Sequence, residues 1–150
     1  MDLEAVAEAL AFVAEHPHVY LLARRSDGFP TGYAMTARAR TREGCVDFST
    51  YRASAKVKNL LRDGTAGIVA SDEDPSGGRV LFAEGPLTLL DGAAWTTDED
   101  QPEATGAKLG VDVPAEIVDK VGRRHQDGKR VVLRVRIERA RFTRGLGFPS

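Results

Sequence analysis

The sequence predicts a mainly β protein, an antiparallel barrel with a few helices appended to it. Three observations predict that class. Runs of alternating apolar and polar residues recur along the chain, short turn signals separate them, and stripes of helical period are few. Connections this short suit antiparallel neighbours, whereas a doubly wound parallel sheet needs a crossover between successive strands. Six strands are expected.

The first element is a helix. Asp2 is placed to cap it, and Leu3, Val6, Leu10 and Val13 recur at helical spacing while Glu4, Glu8 and Glu15 lie off that stripe. His16-Pro17-His18 ends it, because proline lacks the donor that the next turn needs. Val19 to Arg24 reads as a strand, followed by the hairpin signal Ser26-Asp27-Gly28. From Thr31 to Arg40, Tyr33, Met35, Ala37 and Ala39 alternate with Ala34, Thr36, Arg38 and Arg40, which predicts one continuous strand. Thr41 to Gly44 turns the chain into a third strand, Cys45 to Thr50.

A short helix follows, with Ser54 as its cap and Asp63-Gly64 closing it. Thr65 to Ser71 is a strand, Asp72 to Gly78 a polar turn, and Arg79 to Leu90 a long strand. Gly85-Pro86 within it marks a bulge or a sheet edge. Asp91 to Val113 is acidic and reads as short helical pieces joined by loop, and Pro114 opens a helix reaching about His125. In the last strand Val131, Leu133, Val135 and Ile137 alternate with Val132, Arg134, Arg136 and Glu138. No repeat or low-complexity linker interrupts the chain, so residues 1–150 are expected to form one domain.

The net charge of −1 argues against a dedicated nucleic-acid binder, which carries a basic excess. A single cysteine, Cys45, excludes an internal disulfide, a CxxC redox pair and a cysteine-rich zinc set. Met1-Asp2-Leu3-Glu4 carries acids where a secretory leader carries basic residues, and no apolar run reaches membrane-spanning length. These observations lead us to expect a soluble cytoplasmic protein that binds neither nucleic acid nor membrane.

The segment Phe48-Ser49-Thr50-Tyr51-Arg52-Ala53-Ser54-Ala55-Lys56-Val57-Lys58-Asn59-Leu60 carries the chemistry. A strand delivers hydroxyl residues to its end, and a helix then begins with lysines in its first turn. Helix N-termini present unpaired N–H groups and a partial positive charge, which favour phosphate. Lys56 and Lys58 place cations where the helix dipole alone favours acids, a local cost that a bound anion offsets. The competing reading is that two lysines on a short surface helix are simply solvated.

The order of motifs resembles the flavin-reductase-like split barrels of the pyridoxamine 5'-phosphate oxidase-like superfamily. It runs from the hairpin Asp27-Gly28-x-Pro30 through Phe48-Ser49-Thr50 and Ser54-Ala55-Lys56-Val57-Lys58-Asn59-Leu60 to Arg62-Asp63. Phe82-Ala83-Glu84-Gly85 is similar to that family's long strand, and Val131 to Val135 to its last one. The resemblance implies a six-stranded antiparallel split β-barrel. It makes Lys56 the leading phosphate ligand, with Lys58 and Ser54 close by. Ser49 and Thr50 are implied to line the cofactor ring and its ribityl-like chain, with Tyr33, Ala34 and Met35 approaching the ring from the other side. It further implies a homodimer with the cofactor site at the subunit interface, so that a second subunit completes it.

The departures also carry information. Lys58 stands where arginine is usual, Gly64 where proline is usual, and Arg144 to Ser150 lack the arginine-rich ending of true vitamin B6 oxidases. Pyridoxine-phosphate oxidation is therefore not expected. The resemblance implies an oxidoreductase that uses FMN or the deazaflavin coenzyme F-420 to move hydride to or from a small organic substrate. A composition rich in Ala, Arg, Asp and Gly, similar to high-GC actinobacterial proteins, leans the reading to F-420. Tyr33 and Tyr51 are candidate proton donors that serve equally well as packing aromatics, and no residue is assigned as catalytic. The alternative is a non-catalytic flavin, deazaflavin or haem binder acting as carrier or sensor.

Other features read as structural. His16 and His18 flank a proline without an obvious third ligand, so no metal is expected. His125 beside Arg123 and Arg124 suits a helix C-terminus, Cys45 a packed strand, and Asp98, Glu99, Asp100 and Glu103 a solvated loop. Arg134, Arg136, Arg139 and Arg141 follow strand period and are expected mostly on an exposed or interfacial face.

Overall fold

A computed structural model describes residues 2–72, 78–95 and 129–144 of the chain. It holds two α-helices, α1 (Leu3–Glu15) and α2 (Ala55–Asp63), and eight strands. The strands are β1 (His18–Arg24), β2 (Pro30–Thr36), β3 (Arg38–Arg40), β4 (Cys45–Tyr51), β5 (Thr65–Ser71), β6 (Arg79–Asp91), β7 (Arg130–Arg136) and β8 (Arg139–Arg144). All paired strands are antiparallel, in the order β2-β1-β5-β6-β7-β4-β3, with β8 also on β6. The sheet curls into a half-barrel, consistent with the expected split barrel.

The six expected strands become eight because one of them breaks and a further strand follows the last. The strand expected from Thr31 to Arg40 divides at Ala37, whose N–H donates to the Pro17 carbonyl (2.7 Å) instead of joining a ladder. β2 therefore stays with β1, while β3 crosses to β4. The expected last strand, Val131 to Glu138, ends at Arg136. Ile137 donates to the Gly44 carbonyl and Glu138 to the Glu84 carbonyl, each at 3.0 Å, and a further strand, β8, begins at Arg139.

β6 is the seam. Its residues Val80 to Pro86 pair with β5 on one edge, while on the other edge Arg79 to Glu84 pair with β8 and Leu87 to Asp91 with β7. The change of partner falls at Gly85, where a Cβ would lie 1.7 Å from the Arg136 carbonyl oxygen. Only a glycine lets the two backbones approach so closely.

The core collects the inward residues of both halves, among them Val19, Leu21, Phe48, Ile68, Leu81, Val131, Leu133 and Val135. Val132, on the opposite face of β7 from Val131 and Leu133, is also fully buried. α1 is capped by Asp2, which accepts from the Ala5 N–H (3.1 Å), and packs against β3, β6 and β8. Phe12 meets Phe142 edge-on there, at 5.3 Å between ring centroids. α2 packs Val57 and Leu60 into the core and ends at Gly64, in the left-handed conformation with φ 69°. A 3-10 turn over Gly92–Trp95 follows β6. The helix expected from Pro114, the rest of the Asp91–Val113 reading and most of the polar turn after Ser71 lie outside the described residues.

Candidate functional site

The expected site residues fall into two groups at the β4-to-α2 connection and the neighbouring β2. α2 begins as anticipated: Ser54 is extended, and its Oγ accepts the Val57 N–H at 3.4 Å. The first turn contains no acid. Lys56 is half-buried, with its Nζ 5.9 Å from the centre of the Tyr33 ring. Lys58 is exposed, and neither lysine forms an ion pair among the described residues.

Tyr33 is held from below. Asn59 Nδ2 donates to its hydroxyl at 2.8 Å, and Arg62 donates to Asn59 Oδ1 at 2.9 Å. Arg62 also donates to the Arg24 carbonyl (3.3 Å), and Arg24 pairs with Asp63 at 3.1 Å. This chain of contacts fixes the β1–β2 hairpin on α2, and with it the distance between the Tyr33 ring and Lys56. Because the phenol oxygen accepts from Asn59, the Tyr33 O–H proton can be given to another group. Strand alternation separates the neighbouring residues: Tyr33 and Met35 lie half-buried on one face of β2, and Ala34 is exposed on the other.

The second group lies on β4. Ser49 and Thr50 face opposite sides of the strand, and Thr50 is only 3% exposed, so of the pair only Ser49 presents its hydroxyl toward an accessible face. Arg130 of β7 donates through Nε to Ser49 Oγ at 3.0 Å, and its guanidinium stacks over the Tyr51 ring at 4.5 Å. Arg130 and Asn59 are the residues that the sequence reading did not single out. Asn59 lay within the motif, one turn after Ala55. Arg130 had no local signal, because β4 and β7 are brought together only by the sheet.

Two backbone bonds join the groups. Ser54 N–H donates to the Tyr51 carbonyl at 3.1 Å, and Arg52 N–H to the Lys129 carbonyl at 2.9 Å. The stacked Arg130–Tyr51 pair thus stands three residues before the cap of α2. Together the groups offer one half-buried ammonium, one guanidinium, two phenol rings and several hydroxyls, a donor set suited to an anionic ligand with a planar ring.

On the same face of β4 as Ser49, the one turned away from the core, an ionic cluster joins β3, β4 and β7. Asp47 is 0% exposed and takes a two-pronged contact from Arg134, at 2.8 and 2.9 Å, with Arg40 at 3.6 Å on its other side. Arg134 is thereby partly buried, unlike Arg136, Arg139 and Arg141, which are exposed. A hydrogen bond from Arg40 holds the Glu43 carboxyl below its ordinary pKa, and burial raises that of the Cys45 thiol. A thiol so shifted is a poor nucleophile at neutral pH. His16 packs against Phe12, with ring centroids 4.7 Å apart, and no group of three potential metal ligands forms among the described residues. No described helix is long and apolar enough to cross a membrane.

Two clefts open on the outer face of the β2-β1-β5-β6-β8 portion of the sheet, of about 580 and 550 Å3. Leu22, Gly67, Glu84 and Arg139 line both. Neither includes Lys56, Tyr33 or Ser49.

No protein-family profile matches the chain, and no curated protein does. Solved structures do match. An F420 reductase superposes with a TM-score of 0.59 at 20% identity, over 86% of this chain and 93% of its own. A conserved hypothetical protein of Mycobacterium tuberculosis gives 0.65 at 22% identity, over 96% and 89%. A pyridoxamine 5'-phosphate oxidase-related FMN-binding protein of Nostoc punctiforme gives 0.60 at 17%, over 93% and 81%. The chain has the fold of the pyridoxamine 5'-phosphate oxidase-like split barrels. The agreement with the split barrels covers both halves of the sheet and reaches well beyond the Phe48–Leu60 segment that first pointed to them.

Proposed function

We propose that this split barrel is an oxidoreductase that binds FMN or the deazaflavin coenzyme F-420 and passes hydride to or from a small organic molecule. The observation that carries the reading is Lys56: a half-buried ammonium, without a carboxylate partner among the described residues, beside a fixed tyrosine ring at the start of an acid-free helix. That arrangement fits the phosphate-bearing tail that FMN and F-420 share, and F-420 is the slightly favoured ligand on composition. The fold shared with an F420 reductase and an FMN-binding protein supports the same chemistry.

Lys56 and Lys58 hold the phosphate, with the backbone of α2's first turn behind them. Ser49 and the aromatic faces of Tyr33 and Tyr51 flank the ring-bearing part, and Arg130 keeps the Ser49 hydroxyl and the Tyr51 ring in place. The cofactor supplies the hydride chemistry when bound, and the protein supplies position and exclusion of competing reactions. Tyr33, whose oxygen is already an acceptor for Asn59, is the group placed to give a hydrogen bond or proton. The reading includes a homodimer whose second subunit completes the site, as the resemblance to the split barrels implies.

Titration of the purified apo-protein with FMN and with F-420, followed by fluorescence, tests the proposal. Tight binding of one is expected, together with oxidation of its reduced form when an acceptor is added. Lys56→Ala is expected to weaken binding by roughly ten- to hundredfold, the loss of about 1.5–3 kcal/mol from a charge-assisted contact, with an unchanged thermal transition. Unaltered affinity removes Lys56 from the site. Tight binding without acceptor-dependent turnover replaces the enzyme with a carrier, and binding of neither cofactor ends the redox reading.

A further inference from the structure

Three side chains run from the end of α2 to the site, and the chemistry of their hydrogen bonds has a fixed direction. Arg62 Nη2 lies 2.9 Å from Asn59 Oδ1, and Asn59 Nδ2 lies 2.8 Å from the Tyr33 hydroxyl. A guanidinium has donors and no acceptor, so the Asn59 atom facing it must be the carbonyl oxygen. The amide nitrogen is then left to face Tyr33, and it too can only donate. The phenol oxygen is the acceptor in that contact, and its own hydrogen points elsewhere. No acceptor for that hydrogen occurs among the described residues. Lys56, whose Nζ lies 5.9 Å from the centre of the Tyr33 ring, offers donors alone.

Helix and hairpin together hold this direction. Asn59 and Arg62 are three residues apart on α2, which makes them neighbours on one face of the helix. Arg62 is held in turn by the Arg24 carbonyl, to which Nη1 donates at 3.3 Å, and Arg24 pairs with Asp63 at 3.1 Å. Tyr33 stands on β2 opposite Leu21, in the hairpin whose other strand carries Arg24. The contacts that seat the hairpin on α2 therefore also set which way the Asn59 amide faces.

We propose that Arg62 and Asn59 are positioning residues that make Tyr33 a one-way donor, so that the ligand atom at its hydroxyl is a hydrogen-bond acceptor. The inference rests on the function proposed above and adds the chemistry of the group that the site selects. A carbonyl oxygen, an ionised oxygen or an unprotonated ring nitrogen satisfies the Tyr33 O–H, and a negatively charged one gains further from the Lys56 ammonium. A ligand that presents an N–H or O–H at that point sets a donor against a donor, and the site discriminates against it. Asn59 and Arg62 act through Tyr33 and need not touch the ligand.

Asn59→Asp tests the proposal, because it keeps both contacts and reverses one of them. A carboxylate still accepts from Arg62, but it can only accept from Tyr33, whose hydrogen is then used within the protein. Raman spectra of the cofactor-free protein report the direction, taken as the difference between each protein and the same protein with Tyr33→Phe. The intensity ratio of the tyrosine ring doublet is high for an accepting phenol oxygen and low for a donating hydroxyl. It is expected to be high for Tyr33 in the wild type and to fall in Asn59→Asp. Titration with FMN and with F-420 gives the second readout. Tyr33→Phe is expected to weaken binding roughly three- to tenfold, the contribution of one hydrogen bond. Asn59→Asp is expected to lose that same factor in the wild-type background and not in the Tyr33→Phe background. The cost of its added charge enters both backgrounds equally and cancels. A purely structural role for Asn59 leaves the doublet and the cycle unmoved, since both contacts persist, and that result overturns the proposal. If Asn59→Asp does not fold, Arg62→Glu at an exposed position replaces it. Its carboxylate draws the amide nitrogen and turns Oδ1 to Tyr33, so an unchanged doublet overturns the proposal. Binding of neither cofactor ends the redox reading, and the doublet alone then decides the direction of the contact.

Discussion

At the scale of single residues, the buried carboxylate of Asp47 has the largest consequence for stability. It is fully enclosed, and the guanidiniums of Arg134 and Arg40, with side chains 23% and 10% exposed, depend on it. Asp47→Ala leaves Arg134 without its carboxylate partner and Arg40 with Glu43 alone, and is expected to cost about 3–5 kcal/mol. Urea denaturation monitored by circular dichroism checks this, and a loss below about 1 kcal/mol shows that solvent has replaced the carboxylate. The sequence contained Asp47, Arg134 and Arg40 but not their association, because Asp47 and Arg134 are 87 residues apart and meet only through the β4–β7 register. For the same reason Arg130 was missed as a partner of Ser49. Lys56 and Ser54 were legible as a motif because a helix start is a local object, with the cap, the dipole and the first-turn charges within a few residues of one another.

Elements were legible wherever the pattern and the turn chemistry agreed. The Asp-Gly hairpin and the Ser54-to-Gly64 helix have both, and their observed limits differ from the expected ones by a residue or so. Alternation alone cannot show where a strand changes sheet. Tyr33, Met35, Ala37 and Ala39 keep their period through the break at Ala37, which is set by the distant carbonyl of Pro17. Gly85 is the converse case, since Gly85-Pro86 signalled an irregularity in the sequence and the structure places the exchange of partners there. Gly85→Ala is expected to be more damaging than an ordinary strand substitution, by about 2–4 kcal/mol, because the Arg136 backbone must move to admit one methyl group. Thermal melts against Ala66→Gly, a change at the residue paired with it on β5, separate this clash from a general loss of strand propensity.

At the scale of the whole molecule, the class of fold followed from periodicity and short connections, and the closure into two sheets sharing one long strand did not. Sharing is a property of β6, whose 13 residues outrun the seven-residue neighbour on either side. The same arrangement explains the surface. Inward side chains of β1, β5 and β6 fill the core, and the outward ones leave Tyr20 and Leu22 exposed and Phe82 beneath the Arg141 guanidinium. Sequence alternation identified the two faces of each strand.

The position of β7 between β4 and β6 also governs how the chain reaches its native state. Both flanking strands are made well before β7 during synthesis, and each waits with a bare edge until residues 130–136 arrive to fill the gap. Contacts that span such lengths of chain are slow to form, so refolding from denaturant is expected on the millisecond-to-second scale of barrels, not in microseconds. Stopped-flow fluorescence of Trp95, which lies beside Arg38 on the far side of that gap, reports the closing step. Until β7 arrives, a nascent chain presents two sticky strand edges to its neighbours, and its yield in the cell is set by how quickly they are sealed.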